Sequence, residues 1–116
     1  VLFRSLGFVA LHNDHSHILG QLLDISQNGL SLRYLAENQI PETLKQSCSL
    51  DVFSSDQEIA LENVTSRFIY DSDVEDGHIQ TKRCALQFED LTEEQQVSLA
   101  ELLSQKNARS EGDPEQ

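Results

Sequence analysis

The chain opens with short apolar runs broken by polar clusters, a pattern of strands joined by turns rather than of helices. Leu6–Leu11 (LGFVAL) reads as a strand and His12–His17 (HNDHSH) as the loop after it. Ile18–Ser26 (ILGQLLDIS) is a second strand, and Leu30–Leu35 (LSLRYL) is its return across Gln27-Asn28-Gly29. Asn-Gly suits the type I′ turn of a two-residue hairpin, because both central residues of that turn need positive φ. Residues Ala36–Gln46 contain Pro41 and predict a long loop or a short irregular helix. Further strands are expected at Ser49–Ser54, Glu58–Val64, Thr65–Asp71 and His78–Phe88, with an acidic turn at Ser72–Gly77.

The period then changes. Thr92 and Gln95 have the spacing of a capping box, and Glu93 and Glu94 lie where the helix dipole favours negative charge. Leu99, Leu102 and Leu103 form a narrow apolar stripe at helical spacing, and Lys106 sits near the helix end. The stripe predicts a helix covering one end or one side of the strands. From Asn107 the chain (NARSEGDPEQ) has no apolar run, so residues 107–116 are expected to form a disordered acidic tail. Many short strands followed by one helix predict a single mainly β domain over residues 1–106, a small antiparallel barrel with a C-terminal α-helix.

Charge narrows the list of partners. Twenty acidic side chains against eight basic ones, a net charge of −12, repel polyanions, so nucleic acid and acidic membranes are not expected partners. A compact anion remains accessible if a few cations gather locally, the candidates being Arg4, Arg33, Arg67, Lys82 and Arg83. No run reaches the roughly 18 apolar residues of a membrane span. No signal peptide is visible, and the chain starts at Val1 without a Met, which leaves room for an upstream segment. Cys48 and Cys84 lie far apart in no metal-like spacing and are expected to be reduced, buried thiols of a cytoplasmic protein.

A two-residue turn at Asn28-Gly29 would set Asp24 opposite Arg33, Ile25 opposite Leu32 and Ser26 opposite Ser31. Leu23, Ile25 and Leu32 would then point inward, and Asp24, Ser26, Ser31 and Arg33 would share the outer face. The plain structural role for Asp24 and Arg33 is a cross-strand ion pair worth about 0.2–1 kcal/mol. The functional alternative is a polar platform beside a tight turn, suited to a planar heterocycle.

Asp24-Ile25-Ser26-Gln27-Asn28-Gly29 resembles the D/N-x-S-x-x-G signature of PilZ domains. The flanking Gly20–Leu23 and Leu30–Tyr34 agree with it. Arg83–Phe88 followed by Leu91–Gln96 resembles the last strand and the start of the C-terminal helix of that family, so the resemblance spans roughly residues 6–105. It implies a six-stranded barrel and a bacterial receptor for cyclic di-GMP. Asp24 and Ser26 would bond a guanine edge, and Gly29 would keep the turn tight. A carboxylate accepts from guanine N–H groups, and a hydroxyl both donates and accepts. The resemblance also implies an alternative role, a ligand-independent protein-interaction module in motility or surface behaviour.

The family's second motif, R-x-x-x-R on an N-terminal arm, is incomplete. Arg4 lies 20 residues before Asp24, a distance that suits the second arginine, and the first would precede Val1. A truncated arm, a degenerate family member, and Arg4 as an ordinary strand residue all fit this pattern. Each charge-assisted hydrogen bond lost to a phosphate costs about 1.5–3 kcal/mol, so this chain is expected to bind cyclic di-GMP weakly or not at all. Arg4, Arg33 and Arg83 are the phosphate candidates, and Arg4 alone is suggested by the family pattern.

Other constellations carry less. His12, His15 and His17 with Asp14 have the chemistry of metal ligands, but a polar hairpin loop with exposed histidines accounts for them better. Asp71–Gly77 superficially resembles a calcium loop, yet the sixth and twelfth positions hold Asp76 and Lys82 where an EF-hand needs Gly and Glu. No nucleophile elbow, P-loop or dinucleotide fingerprint is present, so an enzyme is not expected.

Overall fold

The computed structural model describes residues 7–112 apart from 38, 47, 57, 77 and 78, and describes the backbone alone at 75, 76 and 106–112. Six strands appear in it: β1 Gly7–His12, β2 His17–Ile25, β3 Gly29–Leu35, β4 Cys48–Ser54, β5 Ala60–Asp76 and β6 Ile79–Phe88. They close an antiparallel barrel in the order β1-β2-β3-β6-β5-β4, with β4 returning to β1. Each strand therefore has two partner strands, β5 pairing with β4 through Ala60–Ser66 and with β6 through Ser66–Asp76.

Alternation along the strands fills the interior. Val9 and Leu11 of β1, Leu50 and Val52 of β4, and Leu61 and Val64 of β5 are completely buried, as expected for a small barrel whose lumen is packed with aliphatic side chains. The two helices close the ends. The short α1 (Glu42–Gln46) buries Leu44 at the end reached by the β1–β2 loop. The long α2 (Glu93–Gly112) buries Leu99 and Leu102 at the other end. The expected capping box is formed: Thr92 N–H donates to Gln95 Oε1 at 2.9 Å, and Gln95 N–H to Thr92 Oγ1 at 3.1 Å. Gln95 Nε2 also donates to the carbonyls of Glu62 and Asn63, which ties α2 to β5.

The acidic stretch expected to form a turn is strand instead. The expected pair Glu58–Val64 and Thr65–Asp71, from Ala60 onward and together with Ser72–Asp76, forms one strand, β5, and Gly77 lies outside the described residues. Its continuity is kept by a left-handed residue, Asn63 (φ 57°), and by a register shift between Phe68 and Tyr70. Asn tolerates that conformation, and both features bend a strand without ending it. Helix α2 runs on to Gly112, into the segment expected to be a disordered tail, whose last residues 113–116 lie outside those described. Among the described residues no helix is long and apolar enough to cross a membrane. Cys48 and Cys84 are buried and unbridged, and burial pushes their thiols up to about 11 and about 12.

Candidate functional site

The β2–β3 hairpin differs from the two-residue Asn28-Gly29 turn. Ile25 pairs with Leu30, Asp24 with Ser31, Leu22 with Leu32 and Gln21 with Arg33, with a register shift between Leu22 and Asp24. The turn closes between Ser26 and Gly29, with Ser26 N–H donating to the Gly29 carbonyl at 2.8 Å, so Gln27 and Asn28 are its central residues. No residue of this turn has positive φ, which excludes type I′. Three expectations are corrected by this register. Asp24 and Arg33 are not cross-strand partners. Leu23 is the half-buried extra residue of the bulge rather than a core residue. Leu22, not Ile25, lies opposite Leu32, and Ile25 lies opposite Leu30.

Gly29 is required for a different reason from the one read in the sequence. A Cβ at that position would lie 2.2 Å from the Leu86 carbonyl oxygen, because β3 approaches β6 closely where Gly29 pairs with Gln87. The Asn28 carbonyl accepts from Phe88 N–H at 2.8 Å, so the turn is fastened to the end of β6 as well.

The bulge preserves the outward facing of the polar side chains. Asp24, Ser26 and Ser31 lie on one outer face, as expected. The Asp24 carboxylate accepts from Ile25 N–H at 2.9 Å, which orients it, and a carboxylate has capacity for several more bonds. Ser26 Oγ accepts from Asn28 N–H at 3.2 Å and faces the Gly29 carbonyl at 3.4 Å, the pattern of a serine turn. Ser31 is only 8% exposed, and its hydroxyl accepts from Arg83 Nη2 at 3.4 Å.

Arg83 and Tyr70 complete the surface. Ser31 pairs with Ala85 on β6, and Ala85 with Tyr70 on β5, so Asp24, Ser31, Ala85 and Tyr70 form one row across four strands. The adjacent row is Gln21, Arg33, Arg83 and Ser72, which sets two arginines side by side. An open hollow of about 210 Å³ is lined by Asp24, Ser26, Gly29, Ser31, Tyr70 and Arg83, among others. It brings together four kinds of group: a carboxylate, hydroxyls, a half-exposed aromatic ring and a guanidinium. Arg33 belongs to the adjoining row and does not line the hollow. Arg4 lies outside the described residues.

The sequence names Arg83 as a phosphate candidate beside Arg4 and Arg33, and gives no sign of Tyr70. Their place here depends on the β3–β6–β5 pairing, which joins residues far apart in the chain. Among the described residues no group of histidines, cysteines and carboxylates is arranged to hold a metal ion. His12 pairs with His17 across β1 and β2, and its ring lies 3.2 Å from Asp51 on β4.

The model of the PilZ domain family matches residues 3–105. A search of curated proteins finds no match. Among solved structures, the chain is similar to the PilZ domain of YcgR from Escherichia coli with c-di-GMP, at 21% identity and a TM-score of 0.65 over 92% of this chain and 87% of that one. It is also similar to PlzA of Borreliella burgdorferi in complex with c-di-GMP, at 16% identity and a TM-score of 0.63 over 88% of this chain. The match spans 45% of the PlzA chain, so PlzA has about as much again that this chain does not cover. With the family match extending over nearly all of the barrel and its helix, the chain belongs to the PilZ domain family.

Proposed function

We propose that the chain is a cyclic di-GMP-binding receptor module of bacterial signalling, working in the cytoplasm by binding rather than by chemistry. The observation that carries this is the hollow bordered by Asp24, Ser26, Ser31, Tyr70 and Arg83. Asp24 accepts from the N–H groups of a guanine edge, Ser26 donates or accepts beside it, and Tyr70 offers a ring for stacking. The hollow is smaller than the roughly 300–1,000 Å³ typical of small-molecule pockets, so it takes one base and leaves the phosphates outside. Arg83 and Arg33 stand on the side where those phosphates emerge, and Arg4 is the arm residue that would join them. The family membership and the two similar structures solved with this ligand support the same reading.

A titration of the isotopically labelled protein with cyclic di-GMP, followed by amide NMR shifts, tests it. The expected shifts concentrate at residues 24–31, 70 and 83–85. No shifts at millimolar ligand would leave the alternative, a ligand-independent interaction module on the same fold.

A further inference from the structure

The β2–β3 turn borders a second cavity, which the proposed nucleotide site does not use. A groove of about 380 Å³ lies between α2 and this turn, with Leu91, Leu99, Ala100 and Leu103 on the helix side and Gln27 and Asn28 on the other. The groove and the hollow share the turn but no described lining residue. None of the described residues lining the groove is charged, in a chain with 20 acidic side chains. Leu91 and Leu103 are only partly buried against the core, so apolar surface is left uncovered there.

The start of β1 lies at the same end of the barrel. Gly7 pairs with Ser54, Ser54 Oγ donates to the Asp56 carboxylate at 2.6 Å, and Gln105 of α2 bonds that carboxylate too. On its other side β1 borders β2, with Phe8 opposite Gln21. From Gln21, β2 runs four residues on to Ile25, about 13 Å, and the turn follows. Residues 1–6 (VLFRSL), which lie outside those described, reach about 20 Å when extended, enough to arrive at the turn. Carried on at the register of β1, the segment would set Phe3 level with Ser26. Side chains of β1 alternate, with Gly7 and Val9 buried and Phe8 exposed. The same alternation would put Val1 and Phe3 on the inner side, toward α2, and Arg4 on the outer side that carries Asp24.

We infer that the groove is the seat of the chain's own first residues, with Phe3 and Val1 as its apolar anchors. Four of those six residues, Val1, Leu2, Phe3 and Leu6, are large and apolar, and none is acidic. A Phe ring against Leu99, Ala100 and Leu103 buries surface that neither α2 nor the turn covers alone. The uncharged lining suits such a segment, whereas an ionised side chain would find no countercharge among the described lining residues. The covalent link to Gly7 holds the segment at a high effective concentration beside the groove, which favours it over a second copy of the chain. Seating these residues also keeps Arg4 on the outer face. The seat itself is made of apolar contacts to α2 and needs no nucleotide, so the inference stands whether or not that ligand binds.

The chain has no Trp, so Phe3→Trp supplies a unique reporter for the test. Its emission and its quenching by acrylamide are read in the full chain without nucleotide, in buffer and in urea. The reporter is then combined with Ala100→Glu or the milder Ala100→Gln in the groove, and with the control Val97→Glu on α2 outside it. Ala100 is exposed, so these substitutions should leave the thermal midpoint unchanged, which the same samples check. The expected result is emission to the blue of the urea value and protection from acrylamide, both lost with Ala100→Glu, reduced with Ala100→Gln and kept with Val97→Glu. Native emission and quenching equal to those in urea, or protection that the groove and control variants affect alike, overturns the inference. Protection that falls on dilution of the protein also overturns it, in favour of a second copy as the occupant.

Discussion

Arg83 on β6 reaches across to the Ser31 hydroxyl on β3 at 3.4 Å, and so carries a guanidinium to the rim of the hollow that Asp24 and Ser26 border. The contact is long and made to a neutral group, so it positions the cation without neutralising it. Replacing Arg83 with Ala should weaken cyclic di-GMP binding by about 1.5–3 kcal/mol, the worth of a charge-assisted bond, or about 10- to 150-fold. The thermal midpoint should move little. Because the lost contact is to phosphate, the variant's affinity should also depend less on salt. Calorimetry at two ionic strengths checks both.

Tyr70 lines the same hollow and is half exposed. If its ring stacks on a base, Tyr70→Ala should cost about 1–3 kcal/mol of binding and Tyr70→Phe should cost little. Equal losses in both variants would assign the effect to the hydroxyl instead.

Gly29 illustrates how far the sequence could be read. The D/N-x-S-x-x-G signature lies beside the hollow, and Asp24, Ser26 and Ser31 do share a face. The turn was misplaced because Asn-Gly is a strong local signal for positive φ, whereas this glycine answers to the neighbouring strand, with a Cβ position 2.2 Å from the Leu86 carbonyl oxygen. Local sequence records turn propensity but not the approach of β6. The bulge at Leu23 and the continuity of β5 through Asp76 were hidden for the same reason, since both depend on register with partners distant in the chain. Helix α2 was legible because its cap, Thr92 with Gln95, and its stripe, Leu99 with Leu102, are local.

From that packing, Gly29→Ala should destabilise the fold by roughly 1–3 kcal/mol, since a backbone carbonyl rather than a flexible side chain would have to move. Thermal denaturation should show a fall of about 4–8 °C for each kcal/mol.

The barrel should weaken at alkaline pH. Burial pushes the Cys48 thiol up to about 11 and the Cys84 thiol up to about 12, and burial with the nearby Asp71 carboxylate raises the Tyr34 phenol. Tyr34 also donates to Asp71 at 3.1 Å. The folded chain therefore holds these protons more tightly than the unfolded one. The stabilisation is complete below the ordinary thiol value of 9.0 and is lost progressively as pH climbs through 11 and 12. Urea midpoints should be level from pH 7 to about 8.5 and then decline, and Cys84→Ala should make the decline shallower.

The R-x-x-x-R pattern makes a further prediction. An N-terminal extension that places an arginine four residues before Arg4 should strengthen cyclic di-GMP binding by about tenfold or more, through an added charge-assisted contact to phosphate. A lysine at that position should recover less, because its ammonium lacks the planar fork. Unchanged affinity with the extension would show that Arg4 does not act as an arm residue.

Calorimetric titration of cyclic di-GMP into the wild-type chain and into Asp24→Ala tests the nucleotide assignment most directly. The expected result is saturable binding by the wild type, weakened at least tenfold in Asp24→Ala at an unchanged thermal midpoint. Wild-type heats no larger than dilution, or equal binding by the two proteins, would contradict it.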